Sequence, residues 1–164
     1  MTAEESLWNF AVRVYDRPGV EAACLELQDS FGADVPVLIF GLWAGARGWR
    51  LSRADYEAAV LAVAPWQQRV VAPLRAVRRA LKRLADFPPG VEAATGRIGS
   101  QVKALELDAE RSELEFLETL GSGAQKKGGV PPVEANLAAY LEILGVPPHR
   151  FGQQKRSLLT AVPG

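Results

Sequence analysis

The chain has 164 residues, 19 basic side chains against 19 acidic ones, 48% apolar residues and 23% charged ones. That length and composition fit one ordinary globular domain and exclude a disordered acidic tail, a collagen-like repeat and a disulfide scaffold. A zero balance also disfavours a domain built to wrap nucleic acid, which carries a large basic excess.

Taken in chain order, Thr2 and Glu5 have the spacing of a capping box, which satisfies orphan amides at a helix start. The helix it predicts runs to about Tyr15, with Leu7, Trp8, Ala11, Val14 and Tyr15 inward. Pro18 suits the first turn of a second helix, which ends near Phe31 with Gly32 as a left-handed stop. Val20, Cys24, Leu27 and Phe31 share its apolar face. Asp34 caps a third segment, Val35 to Ala46, whose length and flanking caps favour a helix buried on nearly all sides. Ser52 and Asp55 repeat the capping signature, and the helix they open is expected to stop at Pro65.

From Trp66 to Ala85 the apolar residues Val70, Leu74, Val77, Leu81 and Leu84 recur at helical spacing, forming a narrow seam. Pro73 inside it predicts a kink or a restart. A later helix is expected from about Ile98 to Leu120, with Val102, Leu105, Ala109, Ser112, Phe116 and Leu120 on one stripe. Gly and Pro then crowd residues 121–132, and an amphipathic helix follows from Val133 to Leu144. The expected organisation is all-α, a compact bundle of six or seven helices. A helical core spans 1–120, a flexible linker 121–132, and a C-terminal helix with a partly ordered tail 133–164.

Rare residues narrow the chemistry. Cys24 is the only cysteine and His149 the only histidine, so neither a disulfide nor a multi-ligand zinc site is available. A Ser-His-Asp or Cys-His mechanism would have only His149, in a proline-rich stretch, as its base. No secretory signal is read at the start, and the 12-residue stretch Val35 to Ala46 is shorter than the about 20 residues a bilayer requires. A reducing cytoplasm is the expected compartment, with no cofactor and no metal.

Charge is segregated by helix. Residues 65–86 carry six bases and one acid, whereas 102–120 carry six acids and two bases. Arg69, Arg75, Arg78, Arg79 and Lys82 are the candidate anion or partner site, since guanidinium and ammonium groups grip phosphates and carboxylates. The competing reading pairs this helix internally with its acidic neighbours. Glu106, Glu110 and Glu113 share one face and could hold a hard cation, but a solvated or arginine-facing stripe is the simpler account. Asp29 and Asp34 read as residues around a helix end. Gly41 and Gly45 fit close helix packing better than a phosphate loop. The indoles of Trp43 and Trp66 need hydrogen-bond partners, and Gln28 and Asp29 are candidates for one buried polar network.

Leu7-Trp8-Asn9-Phe10, Tyr15-Asp16-Arg17-Pro18-Gly19-Val20, Leu27-Gln28-Asp29 and Gly32-Ala33-Asp34-Val35 form a set that resembles a family of short proteobacterial proteins of unknown function. The family core contains Trp-x-Phe, Tyr-x-x-Pro-Gly-Val, Leu-x-Leu-Gln-Asp and Gly-x-Asp-Val before an apolar run ending in Trp, here Trp43. The likeness continues through Trp66, Pro73-Leu74-Arg75, Arg78-Arg79 and Glu106-Leu107, covers roughly Leu7 to Leu120 and fades beyond. It departs at Pro36, where an asparagine is expected. The resemblance implies a soluble bacterial protein and brings no activity with it.

These readings lean away from catalysis. They point to a binding module whose partner is a protein met through the basic helix or an exposed apolar surface. The alternative is a helical enzyme or pocket protein for an anionic, phosphate-bearing small molecule. Nucleic acid is disfavoured.

Overall fold

A computed structural model describes residues 5–121, 129 and 131–162. Helix α1 (Leu7–Tyr15) is capped by Ser6, whose Oγ accepts from Asn9 N at 3.2 Å. Thr2 lies outside the described residues, and Glu5 is engaged elsewhere: its carboxylate binds Arg13 at 2.7 and 2.9 Å. The buried face is Leu7, Phe10, Ala11 and Val14. Trp8 is half-buried and Tyr15 exposed, because at 100° per residue both sit on the flank of a stripe centred on Leu7 and Val14.

Helix α2 (Val20–Phe31) ends at Gly32, which has the expected left-handed φ of 66°. Helix α3 (Val35–Ala46) begins where Asp34 Oδ1 accepts from Val37 N. Pro36 lies in its first turn, where no N–H is required. Every residue from Pro36 to Gly45 is buried, so α3 forms the centre of its surroundings. Helix α7 (Val133–Ile143) lies against it, and Gly45 of α3 makes that approach possible. A Cβ at Gly41 would stand 2.0 Å from the Tyr56 hydroxyl, and one at Gly45 would stand 2.6 Å from the Val133 Cα. Tyr56 and Tyr140 stack with their ring centroids 5.2 Å apart.

Ser52 and Asp55 form the expected reciprocal cap at the start of α4 (Arg53–Trp66), at 2.7 and 3.2 Å. The helix does not stop at Pro65. It continues into a π turn (Gln67–Val71) and α5 (Ala72–Leu81) as one rod. Leu61, whose carbonyl loses a donor to Pro65, is 74% exposed, so the lost bond falls on the solvent side of the helix. Around Pro73 the bonding register shifts: Ala72 N–H reaches back five residues to Gln67 O. A 3-10 turn (Leu84–Asp86) follows.

Helix α6 (Glu92–Gly121) has 30 residues and starts six residues before the expected Ile98. Gly96 and Gly99 weaken it without ending it, and the rod is about 45 Å long. Helix α8 (Gly152–Ala161) occupies part of the segment expected to be only partly ordered. It buries Leu158 and Ala161, and Gln154 Nε2 donates to Glu26 on α2 at 2.6 Å. Short apolar spacing between prolines hides such a helix from periodicity. The expected linker 121–132 falls largely outside the described residues, which omit 122–128 and 130.

With α4, the π turn and α5 counted as one rod, the chain has seven helices and no strand among the described residues. They group into two units, one of residues 1–61 with 114–164 and the other of residues 62–113. The first contains α1, α2, α3, most of α4, the end of α6, α7 and α8. The second contains the end of α4, the π turn, α5 and most of α6.

Candidate functional site

Sequence places five basic candidates on one stretch, and the second unit separates them into two groups. Arg75 Nε donates to Glu106 at 3.0 Å and its Nη2 to Glu110 at 2.8 Å, while Arg78 forms a short bond to Glu106 Oε2 and a second to Oε1 at 3.2 Å. The Glu106 side chain is 8% exposed. Burial pushes its carboxyl up, but Arg78 and Arg75 outweigh burial and hold it below the ordinary carboxylate range. Glu106 and Glu110 are thus arginine-facing, the simpler of the two readings. Arg69, Arg79 and Lys82 form the other group and are exposed. Arg83 pairs with Asp86 at 3.2 Å at the end of the rod.

The apolar seam beside these bases is only half covered. From Gln67 to Leu81 the one buried side chain is Val71, and α5 itself buries none. Val70, Leu74 and Leu81 are half-buried, whereas Val77 is 46% exposed. On α6, Val102 and Ala109 are buried, but Leu105 is 56% exposed and Ile98 is also exposed. The expected stripe on α6 therefore divides between a face turned inward and a flank turned to solvent.

The DUF2390 family, described as a protein of unknown function, matches residues 6–117. The chain belongs to this family. The matched part of the DUF2390 chain spans α1 to all but the end of α6, and leaves out α7 and α8. No curated protein and no solved structure matches the chain.

The structure does not join Gln28, Asp29, Trp43 and Trp66 of this DUF2390 protein into one network. Trp43 Nε1 donates to Glu5 O at 3.1 Å in the first unit, and Trp66 Nε1 to Ala109 O at 2.9 Å in the second. Gln28 is half-buried and Asp29 exposed. Backbone carbonyls, which sequence pattern cannot rank as acceptors, supply the partners instead.

The buried network that does exist is built on Asn136. Its Oδ1 accepts from Leu51 N at 2.9 Å, and its Nδ2 donates to Gly41 O at 3.0 Å and Trp49 O at 2.8 Å. Tyr56 donates to the Asn136 carbonyl at 2.8 Å. A legible signal was present: Asn136 shares the buried face of α7 with Leu137 and Tyr140, and a lone amide on such a face must be satisfied. Arg47 is not singled out by residue spacing either. It lies 4.5 Å over the Trp43 ring and 5.2 Å over Trp49, and donates to Glu5 O at 3.2 Å. These contacts fasten the entry of α1 to the end of α3.

Cys24 is fully buried, and desolvation pushes its thiol up to about 12, so it behaves as a small hydrophobe. His149 is exposed. Among the described residues no group of three or more His, Cys, Asp or Glu side chains is placed to hold a metal ion, and no helix is long and apolar enough to cross a membrane.

Proposed function

We propose that this protein is a non-catalytic interaction module of the cytoplasm that binds a protein partner through the α5–α6 hairpin. The observation that carries the reading is α5 itself. A helix with a repeating apolar seam buries none of its side chains and leaves Val77 and, across the hairpin, Ile98 and Leu105 in solvent. Exposed apolar residues at regular spacing beside a charged rim suit a docked helix or helix pair. Arg75, Arg78 and Lys82, about a quarter-turn from the seam, supply that rim, and Arg79 lies on the opposite side of α5. The anionic small-molecule reading loses support because Arg75 and Arg78, two of the five bases that could serve it, are already held by Glu106 and Glu110.

Two measurements test the proposal. A photo-crosslinking amino acid at Val77 or Leu105, irradiated in cells, is expected to yield discrete adducts that the same group at Glu21, on the exposed side of α2, does not. Identical adducts at all three positions would overturn it. Inorganic phosphate and pyrophosphate are expected to leave the melting temperature unchanged. A large stabilisation removed by Arg69→Ala, Arg79→Ala and Lys82→Ala would transfer the site to the anion reading.

A further inference from the structure

Buried apolar side chains are shared unevenly between the two units. Of the 34 buried among the described residues, four lie within 62–113: Val63, Val71, Val102 and Ala109. None is larger than valine. The other side chains buried there, Thr95, Glu106 and Glu113, are polar, and Val70, Leu74 and Leu81 are only half-buried. Burial of apolar area is the main term that offsets the entropy of ordering a chain. The second unit is about a third of the chain yet holds about an eighth of these side chains.

Long side chains rather than closely set backbones join its helices. Helices α3 and α7 approach closely along their length, whereas α5 and α6 do not. Trp66, Arg75 and Arg78 reach across instead, to the Ala109 carbonyl, Glu106 and Glu110. Glu106 alone takes bonds from both arginines. The two helices that leave the unit are also suited to parting at its edge. On α4 the division falls between Leu61 and Ala62, and Leu61 bears the carbonyl that Pro65 deprives of a donor. On α6, exposed Arg111 and Ser112 precede Leu114 and Leu117, which are 5% and 0% exposed and belong to the first unit. The last two turns of α6 therefore keep anchors of their own.

We infer that residues 62–113 open as one unit while the first unit stays folded, and that the Glu106 carboxylate, gripped by Arg75 and Arg78, is the latch that keeps them closed. The face carrying Val77 and Leu105 exists only while the latch is shut, because opening parts α5 from α6. A partner on that face binds the closed form alone and holds the hairpin shut. This consequence rests on the reading of the hairpin as a docking surface; the opening itself is a property of the free chain.

Hydrogen exchange followed by mass spectrometry on the full chain, with no partner present, reads the opening directly. Amides of α5 and of the first half of α6 are expected to be at least about 100-fold less protected than those of α3 and α7. Gly96→Ala, whose Cβ would meet nothing within 4 Å, raises protection across 62–113 by about 3- to 5-fold and leaves α3 and α7 unchanged. Glu106→Gln lowers protection in the same residues by at least about tenfold, with α3 and α7 again unchanged as proof that the chain is folded.

Equal protection in both units, or a Gly96→Ala chain in which α3 gains as much as α5, would show one cooperative fold and overturn the inference, whatever adducts form at Val77. Protection over 62–113 that ignores Glu106→Gln would overturn the latch. Separate opening in a chain that gives no site-specific adduct at Val77 or Leu105 would uphold the inference and remove the docking reading.

Discussion

Replacing Asn136 by leucine tests the part of the structure on which the first unit most depends. The side chain is fully buried and makes three hydrogen bonds to backbone groups of α3 and of the segment between α3 and α4. Leucine is similar in volume, so the cost is electrostatic. Leu51 N–H is left without its acceptor, at about 1–3 kcal/mol, and the Gly41 and Trp49 carbonyls each lose about 1 kcal/mol of net bonding. The sum, about 3–5 kcal/mol, is a large fraction of the about 5–15 kcal/mol that holds a typical domain folded. Urea denaturation followed by tryptophan fluorescence reads it directly, since Trp43 and Trp49 lie in the same unit. Asn136→Asp adds a pH test. One carboxylate oxygen still accepts from Leu51 N, but the other faces two carbonyl oxygens, so the folded-state pKa rises above the unfolded value of about 3.9. The folded chain then binds more protons than the unfolded one, and stability rises as pH falls from the raised value towards about 3.9. An Asn136→Leu chain within about 1 kcal/mol of the parent, or an Asn136→Asp chain that gains nothing in acid, would refute the reasoning.

Glu106→Gln is expected to destabilise the second unit by about 3 kcal/mol, because it takes the shared carboxylate from two largely buried guanidiniums and leaves Arg75 with Glu110 alone. Since arginine holds the Glu106 pKa below the ordinary value of 4.5, its contribution is present above pH 4.5 and lost as pH falls through the depressed value; the variant flattens that acid limb in pH-dependent denaturation. Gly41→Ala should cost about 1–3 kcal/mol by driving a methyl into the Tyr56 hydroxyl. Gly96→Ala, whose Cβ would meet nothing within 4 Å, should stabilise α6 by about 1 kcal/mol in the same assay. Cys24 should react with a thiol reagent only as fast as the first unit opens, and a rate in native buffer equal to that of the denatured chain would contradict its burial.

Local chemistry made much of the fold readable. Asp34 and the 12 residues after it announced α3 with its observed bounds, Ser52 and Asp55 capped α4 as their spacing demands, and Gly41 and Gly45 marked the close approach of another element. Where the reading failed, tertiary context decided. Pro65 looks like a terminator because it removes a donor, yet the lost bond falls on the solvent side of the helix. Helix α8 is held by Leu158 and by the bond from Gln154 to Glu26, and neither leaves a periodic trace. The basic helix was identified correctly as a segment. Which of its bases meet Glu106 and Glu110 depends on which edge α6 meets, and one helix's sequence does not contain that.

The π turn between Pro65 and Pro73 has a geometric effect on the whole hairpin. Trp66 and Arg75 both bond to α6, although residues nine apart in a regular helix face opposite sides, at 100° per residue. The wider turn takes in one extra residue and removes most of a quarter revolution, which brings both side chains round to the same neighbour. Gln67 to Val71 thus acts as a phase corrector in an otherwise straight shaft. Deleting one residue there would give a regular helix with Trp66 and Arg75 eight residues and about 80° apart, so the basic edge would still meet Glu106; adding a further residue would turn that edge, and the apolar seam with it, about 100° away.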